Sequence, residues 1–254
     1  MSSQESEFLS KQNEIKKVLI FMRHGEKLIK TGQIPKCGKF DSELSPLGEN
    51  QAMLAGHKFI SQLKKLNFSN ISPSEIHIIS SPYMRTLQTT AHFLKGIESE
   101  NLFEHKDIIS NLYNISIEYG IREILSGGKL KGKKIPKDFL NFLNNPKFKD
   151  FDEELKKLNL NIITNDEFST KTENEFELRE RCKKFIDEKL INFDKDNKYK
   201  VFIIISHAGP LQCMLRRLGL KIKNYHEIKI AQQYYFDITK GIGNANFIEK
   251  VDFN

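Results

Sequence analysis

The sequence has no tryptophan and only three cysteines, at positions 37, 182 and 213. An odd and sparse set of cysteines does not supply a disulfide framework, so we expect a reducing compartment and a cytoplasmic location. No apolar run approaches the roughly 18 residues that a membrane span needs. The first residues are polar and lack the apolar segment of a signal peptide. We therefore expect neither a membrane span nor a signal peptide.

The composition fits a folded domain that favours anionic partners. Hydrophobic residues make up 39% of the 254 residues and charged residues 29%, which is enough apolar material for a core. We expect a polar tail over residues 1–14 and one domain over residues 15–254. The net charge of +7 favours anionic partners, whether phosphorylated small molecules, nucleic acid or a membrane surface. The lysines are scattered among acids and no basic helix carries interleaved aromatics, so a nucleic-acid partner is not expected.

Along the chain, segments with the hydrophobic pattern of a strand alternate with segments that have the pattern of a helix. Short apolar runs predict buried strands at residues 17–22, 75–80, 114–120 and 200–209. The spacing of apolar residues predicts helices at residues 45–66, 82–96, 173–191 and 210–220. The first would have Ser45 as its N-cap and Pro46 at its first position, and Gly96 would end the second. Two closing strands, in YYFDI and NFIEKVDF, form a C-terminal hairpin. This alternation predicts an α/β fold: a mostly parallel sheet with helices on both faces.

One long stretch breaks this alternation. From residue 124 to about 172 the chain is rich in Lys, Asn and Phe, and its pattern predicts only weak helices near residues 137–144 and 151–159. A stretch of this length inside a regular pattern is typical of a cap. We therefore expect an insertion lid over about residues 126–172, which would select the substrate.

Three predicted strands end in residues that carry chemistry. One runs into Arg23 and His24, one into a serine pair followed by Arg85, and one into Ser206 and His207. The carboxyl ends of strands in an open α/β sheet form the ligand crevice. Two arginines there offer fork-shaped donors to a phosphoryl group, and they keep a nearby histidine neutral. A neutral imidazole nitrogen is a nucleophile toward phosphorus, and Gly25 would let the chain turn tightly behind it.

Other phosphate and metal chemistries fit the sequence poorly. Cys213 is followed six positions later by Gly219, where a cysteine phosphatase requires arginine. The segment FDKDNK (193–198) resembles an Asp-x-Asp motif but does not follow a strand. The remaining histidines lack paired metal-ligand spacing, and no P-loop or dinucleotide fingerprint is present. We therefore expect no metal and no cofactor.

Four motifs together resemble the histidine phosphatase superfamily, which has the phosphoglycerate-mutase-like fold. They are RHGE (23–26), LSPLGENQA (44–52), SSPYMRTLQT (80–89) and SHAG (206–209). The resemblance covers nearly the whole chain apart from the tail and the predicted lid. It implies a metal-independent phosphomonoesterase that works through a phosphohistidine intermediate.

Within that superfamily, the closest likeness is to the phosphatase domain of the suppressor-of-T-cell-receptor-signalling (ubiquitin-associated and SH3-containing) proteins. The runs DSELSPLGENQA, SSPYMRTLQTTAHFLKGI and EYGIRE are similar to that branch. The resemblance implies that His24 is the nucleophile and that Glu123 is the acid. It implies that three residues bind the phosphoryl oxygens: Arg23, Arg85 and His207. His207 would belong to the catalytic set as well, and Lys27, where that branch often has arginine, would add a less specific contact.

Two points stay open at this stage. The acid is either Glu123 or Glu118, and burial near an apolar lid favours Glu123 because it would raise the pKa of that carboxyl. Ile124 follows it where the family has an aromatic residue. The function has two alternatives to a phosphatase. One is a phosphoglycerate-type mutase, whose usual acid segment matches EYGIRE poorly, and the other is a non-catalytic phospholigand-binding module.

Overall fold

A computed structural model describes residues 16–32, 41–68, 70–100, 113–124, 152–158, 160–162, 172–195 and 197–252. Within these ranges the chain forms one seven-stranded sheet in the order β4-β3-β2-β5-β1-β6-β7. Its strands are β1 (Val18–Arg23), β2 (Ile76–Ser80), β3 (Asn114–Ile117), β4 (Leu160–Ile162), β5 (Val201–Ser206), β6 (Gln233–Asp237) and β7 (Asn246–Val251). Strands β1 to β5 run parallel, β6 is antiparallel to β1, and β7 is antiparallel to β6. The predicted α/β class, with its mostly parallel sheet and C-terminal hairpin, is confirmed.

The helices lie on both faces of this sheet. They are α1 (Pro46–Lys65), α2 (Met84–Ser99), α3 (Glu153–Lys156), α4 (Glu175–Lys184), α5 (Ile191–Lys195) and α6 (Ala208–Arg217). A π-helical segment, Phe185–Leu190, joins α4 to α5. Ser45 caps α1 by accepting the Gly48 amide, and Pro46 is the first residue of that helix, as predicted. None of the described helices is long and apolar enough to cross a bilayer.

Strand β1 shows how the sheet divides the core. Its side chains alternate between the two faces, so Val18 and Ile20 pack with α1 and α2 in one cluster. Leu19 and Phe21 pack with α4 and α6 in the other. All four side chains are fully buried. A strand that is apolar on both faces is therefore the centre of a three-layer structure.

Gly96 has a different role from the predicted one. Helix α2 continues past it to Ser99. A Cβ at Gly96 would collide with the carbonyl oxygen of Met53 in α1, and a Cβ at Gly56 would collide with the carbonyl oxygen of Phe93 in α2. The two glycines allow close packing of α1 against α2, and Gly96 does not end a helix. Helix α2 begins at Met84, two residues after the predicted Pro82.

The stretch assigned to the lid contributes to the sheet where it is described. Helix α3 falls inside the helix predicted near residues 151–159, and Asp152 caps it through the amides of Glu154 and Leu155. Strand β4 pairs in parallel with β3 at the sheet edge, and the sequence pattern did not reveal it. The polar tail, the helix predicted near residues 137–144 and most of the predicted lid lie outside the described residues.

Candidate active site

The three chemistry-bearing strand ends are neighbours in the sheet. Strand β5 lies between β1 and β2, and its register places Ser206 opposite Arg23. The His24 amide donates to the Ser206 carbonyl at 3.0 Å. On the other side, the Ser81 amide donates to the Ile205 carbonyl, also at 3.0 Å. The backbone ladder therefore fixes all three strand ends at one level.

His24 is buried, and its hydrogen bond defines its tautomer. Nδ1 lies 2.6 Å from the carbonyl oxygen of Gly25. Because a carbonyl oxygen can only accept, Nδ1 carries the proton of the neutral ring and Nε2 keeps its lone pair. Burial, followed by the positive charges of Arg85 and Arg23, lowers the pKa of His24 well below its ordinary value. The ring is therefore neutral at neutral pH, as a nucleophile requires.

His207 lies beside His24 and is fully buried. The two ring centroids are 5.1 Å apart. Nε2 of His207 lies 2.8 Å from the Ser81 hydroxyl, and Nδ1 lies 3.9 Å from Oε2 of Glu123. Burial, together with Arg85, lowers the pKa of His207 well below its usual value. This geometry suits a ring that accepts from Ser81 and directs an Nδ1–H into the site.

Arg85, which is buried, and Arg23, which is partly buried, complete the cationic group. Arg23 Nη1 donates to the Ile228 carbonyl at 2.7 Å, and burial lowers the pKa of Arg23. The Arg85 guanidinium lies 4.4 Å from the centre of the Tyr83 ring. Within the described residues, the Nε atoms of both arginines and Nδ1 of His207 are buried without a hydrogen-bond partner. The positive charges of Arg23 and Arg85 act on both His24 and His207, so these donors lie in one region, which suits an anion.

Asp41 is a site residue that sequence reasoning missed. Its Oδ1 accepts the Met84 amide at 2.7 Å and lies 3.9 Å from Nη1 of Arg85. Burial raises the pKa of Asp41 to about 7, against the opposing effect of the Arg85 charge. The residue lies in the run DSELSPLGENQA, which carried the family resemblance, but no spacing rule linked it to Arg85.

The structure separates the two candidate acids. Both Glu118 oxygens lie 3.0 Å from Nζ of Lys189, and Oε1 also accepts the Gly120 amide. Glu118 is 2% exposed, whereas the Glu123 side chain is 30% exposed and approaches His207. Glu123 Oε1 accepts the Ile124 amide at 3.0 Å. Glu118 is thus held in an ion pair with Lys189, and Glu123 is the carboxylate that lies near His207.

The segment behind His24 lies close to the start of α1. A Cβ at Gly25 would collide with the Gly48 carbonyl, and Gly25 does not have a positive φ. Close approach of two backbones, more than a tight turn, therefore requires this glycine. Lys27 is half-buried, pairs through its backbone with Leu44, and contributes to lowering the pKa of His24. Its charge adds to the cationic group.

One group in the described residues has ligand atoms that could hold a metal ion. The ligand atoms of Glu49, His92 and Asp152 lie within 4.8 Å of one another. Asp152 uses one oxygen to cap α3 and accepts from the Gln88 side chain with the other at 2.7 Å. His92 Nε2 lies 3.5 Å from Asp152 Oδ2. The arrangement is that of a helix cap with a histidine close to its carboxylate, at the α1–α2–α3 junction.

The architecture is the phosphoglycerate-mutase-like α/β fold. A family model described as the histidine phosphatase superfamily (branch 1) matches residues 19–112. That match covers β1, the first two helices and β2, together with Arg23, His24 and Arg85.

Two solved structures are similar in fold over almost their whole length. The ecdysone phosphate phosphatase of Bombyx mori, in complex with tungstate, is 17% identical with a TM-score of 0.62, and 92% of each chain is covered. A mycobacterial glucosyl-3-phosphoglycerate phosphatase in complex with VO3 is 14% identical with a TM-score of 0.50, covering 94% of this chain and 99% of its own. No curated protein sequence matches the chain.

Proposed function

We propose that this protein is a phosphomonoesterase of the histidine phosphatase superfamily that works through a phosphohistidine at His24. The observation that carries the proposal is a set of buried donors that have no hydrogen-bond partner in the described part of the chain: Arg23 Nε, Arg85 Nε and His207 Nδ1. Buried polar atoms in proteins are almost always hydrogen-bonded, so such a cluster calls for an oxyanion. A neutral histidine with a free Nε2 lies among them.

The chemistry follows from these positions. Nε2 of His24 attacks phosphorus in line, and the bond from phosphorus to the ester oxygen breaks. Glu123 protonates the departing oxygen, which leaves as the alcohol. The resulting carboxylate then takes a proton from water, whose oxygen attacks the phosphohistidine and releases phosphate. His24 and the protonated Glu123 are regenerated, so the cycle balances.

The cationic residues would stabilise the charge that develops on the phosphoryl oxygens. Arg23, Arg85 and His207 would donate from fixed positions, and one such preorganised donor contributes about 2.7–4 kcal/mol to the transition state. Lys27 would add a less directional charge. Because these groups neutralise the phosphoryl dianion, we propose that the reaction is independent of metal ions.

We also make proposals on the branch of the superfamily, on the domain bounds and location, and on the source of substrate selectivity. The motif likeness to the suppressor-of-T-cell-receptor-signalling phosphatase branch supports placing the chain near that branch. We propose that one domain over residues 15–254 carries the activity in the cytoplasm, after a tail over residues 1–14. We also propose that a lid over about residues 126–172 selects between small phosphorylated molecules and phosphoproteins.

The test is hydrolysis of p-nitrophenyl phosphate in excess EDTA, comparing wild type with His24→Ala and His57→Ala. His57 lies on α1 and pairs with Glu100 at 2.7 Å, so it serves as a matched histidine control. We expect activity to survive EDTA, to survive in His57→Ala, and to fall on the order of 10⁶-fold in His24→Ala, the scale of losing a nucleophile. The variant should keep the wild-type circular dichroism spectrum.

Other outcomes would favour the alternatives. Interconversion of phosphoglycerates without release of phosphate would identify a mutase. Tight vanadate binding, with no hydrolysis of any ester by the wild type, would identify a binding module. Wild-type rates in His24→Ala would refute the phosphohistidine mechanism.

A further inference from the structure

Side-chain hydrogen bonds hold the backbone of the segment that carries Glu123. The carbonyl groups of residues 120–123 each accept a hydrogen bond from a side chain. Arg181 Nη1 donates to the first at 2.7 Å and to the third at 3.1 Å. Ser206 Oγ donates to the second at 2.7 Å, and Arg122 Nη1 donates to the fourth at 3.2 Å. Four consecutive carbonyls are thus oriented by side chains that come from α4, from β5 and from the segment itself.

Arg181 is in turn fixed by a buried carboxylate. Its Nη2 and Nε donate to the two oxygens of Glu173 at 2.5 and 3.0 Å, a bidentate arrangement. Arg122 Nη1 donates to the same carboxylate at 2.8 Å. The side chains of Glu173, Arg122 and Arg181 are 8%, 6% and 18% exposed. A shielded carboxylate bound by two guanidinium groups holds both of them with little freedom to reorient.

Side-chain donors matter at this segment because little regular secondary structure holds its backbone. A single turn of 3₁₀ helix, Tyr119–Ile121, follows β3 and ends two residues before Glu123. So short a turn does not by itself fix the residues that follow it. The Glu123 carboxylate nevertheless ends 3.9 Å from His207, a residue fixed by β5. The contacts from Arg181 and Arg122 hold the backbone from Gly120, inside that turn, to Glu123.

We propose that Arg181, fixed by Glu173, is a positioning residue that holds the Glu123 carboxyl where it can protonate the leaving group. This inference rests on the function proposed above. Arg181 acts through backbone carbonyls of residues 120 and 122, and it is not a phosphate ligand. Its loss should impair the step that needs the acid and should leave phosphate binding intact.

The experiment compares Arg181→Met with wild type on phenyl phosphate and p-nitrophenyl phosphate. The value of kcat/KM reports on departure of the leaving group, and phenol needs protonation far more than p-nitrophenol does. Because a displacement of about 1 Å can cost roughly 10²-fold in rate, we expect a loss of about that size on phenyl phosphate. The loss on p-nitrophenyl phosphate should be only a few-fold.

Three controls separate positioning from general damage. Arg179→Met removes an exposed arginine of the same helix, which pairs with Glu175 at 3.4 Å, and it should behave as wild type. Inhibition by vanadate should be unchanged in Arg181→Met. Adding Arg181→Met to Glu123→Gln should cause no further loss on phenyl phosphate, because the acid is already absent.

Results that contradict the positioning role differ from results that contradict the proposed function. Equal losses on both esters, or additive losses in the double variant, would overturn the positioning role while leaving the proposed function standing. A wild-type enzyme that hydrolyses neither ester would overturn the proposed function itself, and this inference with it.

Discussion

The two halves of the candidate site are built by different means. The phosphate half, with His24 and His207, sits on the ends of adjacent strands and is almost fully buried. The acid half, Glu123, lies on a turn beyond β3, and its side chain is 30% exposed. Backbone ladders orient the first, whereas side-chain donors from neighbouring elements orient the second. The anion cradle is therefore intrinsic to the sheet, and the acid depends on a few contacts that a single substitution can remove.

Among the substitutions that test this difference between the two halves, we expect loss of the acid to have the largest effect on rate. We expect Glu123→Gln to reduce kcat/KM on phenyl phosphate by about 10²–10⁴-fold, the usual contribution of general acid catalysis. The loss on p-nitrophenyl phosphate should be much smaller, because that leaving group departs without a proton. Steady-state kinetics on the two esters measures the ratio.

Glu118→Gln is the matched control, because it changes the other candidate acid. Glu118 pairs with Lys189 in a buried position, so its loss should lower the melting temperature. We expect the ratio of rates on the two esters to stay at the wild-type value. If Glu118→Gln, and not Glu123→Gln, made the rate sensitive to the leaving group, the assignment of the acid would be wrong.

A smaller but uniform effect is expected from the phosphate half. Arg85→Met removes a buried guanidinium from the cradle, and one preorganised donor of this kind accounts for about 10²–10³-fold in rate. We expect the same factor on both esters and weaker inhibition by vanadate, because the phosphoryl group is common to all of them. Arg217→Met, which alters a half-exposed arginine on α6, should change neither quantity. A loss confined to phenyl phosphate would place Arg85 in the acid half instead.

The phosphate half could largely be anticipated from the sequence. Parallel strands end at one edge of a sheet, so Arg23, His24 and His207 could be placed together once each strand was recognised from its apolar run. The order of the strands was not readable, and the structure supplied it by placing β5 between β1 and β2. The motifs also placed Arg85 near this edge, shortly after β2.

The acid half was harder to anticipate because long-range contacts define it. Glu173 and Arg181 are two of several charged positions in the helix predicted over residues 173–191, and nothing in their spacing links them to the carbonyls of residues 120–123. Strand β4 is three residues long, and the alternation in LNLNI (158–162) is a local signature of a strand, but its pairing with β3 is a long-range contact that this pattern does not specify. Gly96 looked like a helix terminator, because close helix packing and helix termination both favour glycine.

The smallest effect that we expect is on the pH dependence of stability, and it comes from the Asp41 carboxyl in the phosphate half. Burial raises the pKa of Asp41 from 3.8 to about 7, so the folded protein retains that proton to higher pH than the unfolded chain. Stability contributed by this group is therefore present at low pH and is lost as pH rises from about 4 to about 7. Asparagine mimics the protonated carboxyl and can still accept the Met84 amide.

Asp41→Asn should consequently gain stability relative to wild type as pH rises. We expect its free energy of unfolding to exceed that of wild type by on the order of 2 kcal/mol more at pH 8 than at pH 5, measured in urea. Glu153→Gln, at an exposed carboxylate on α3, should show no such dependence on pH. A gain that is equal at both pH values would mean that attraction to Arg85 balances the cost of burying the charge, and a loss at pH 8 would mean that it outweighs that cost. The carboxylate would then be a stabilising partner of the phosphate half, held ionised by the guanidinium that it approaches.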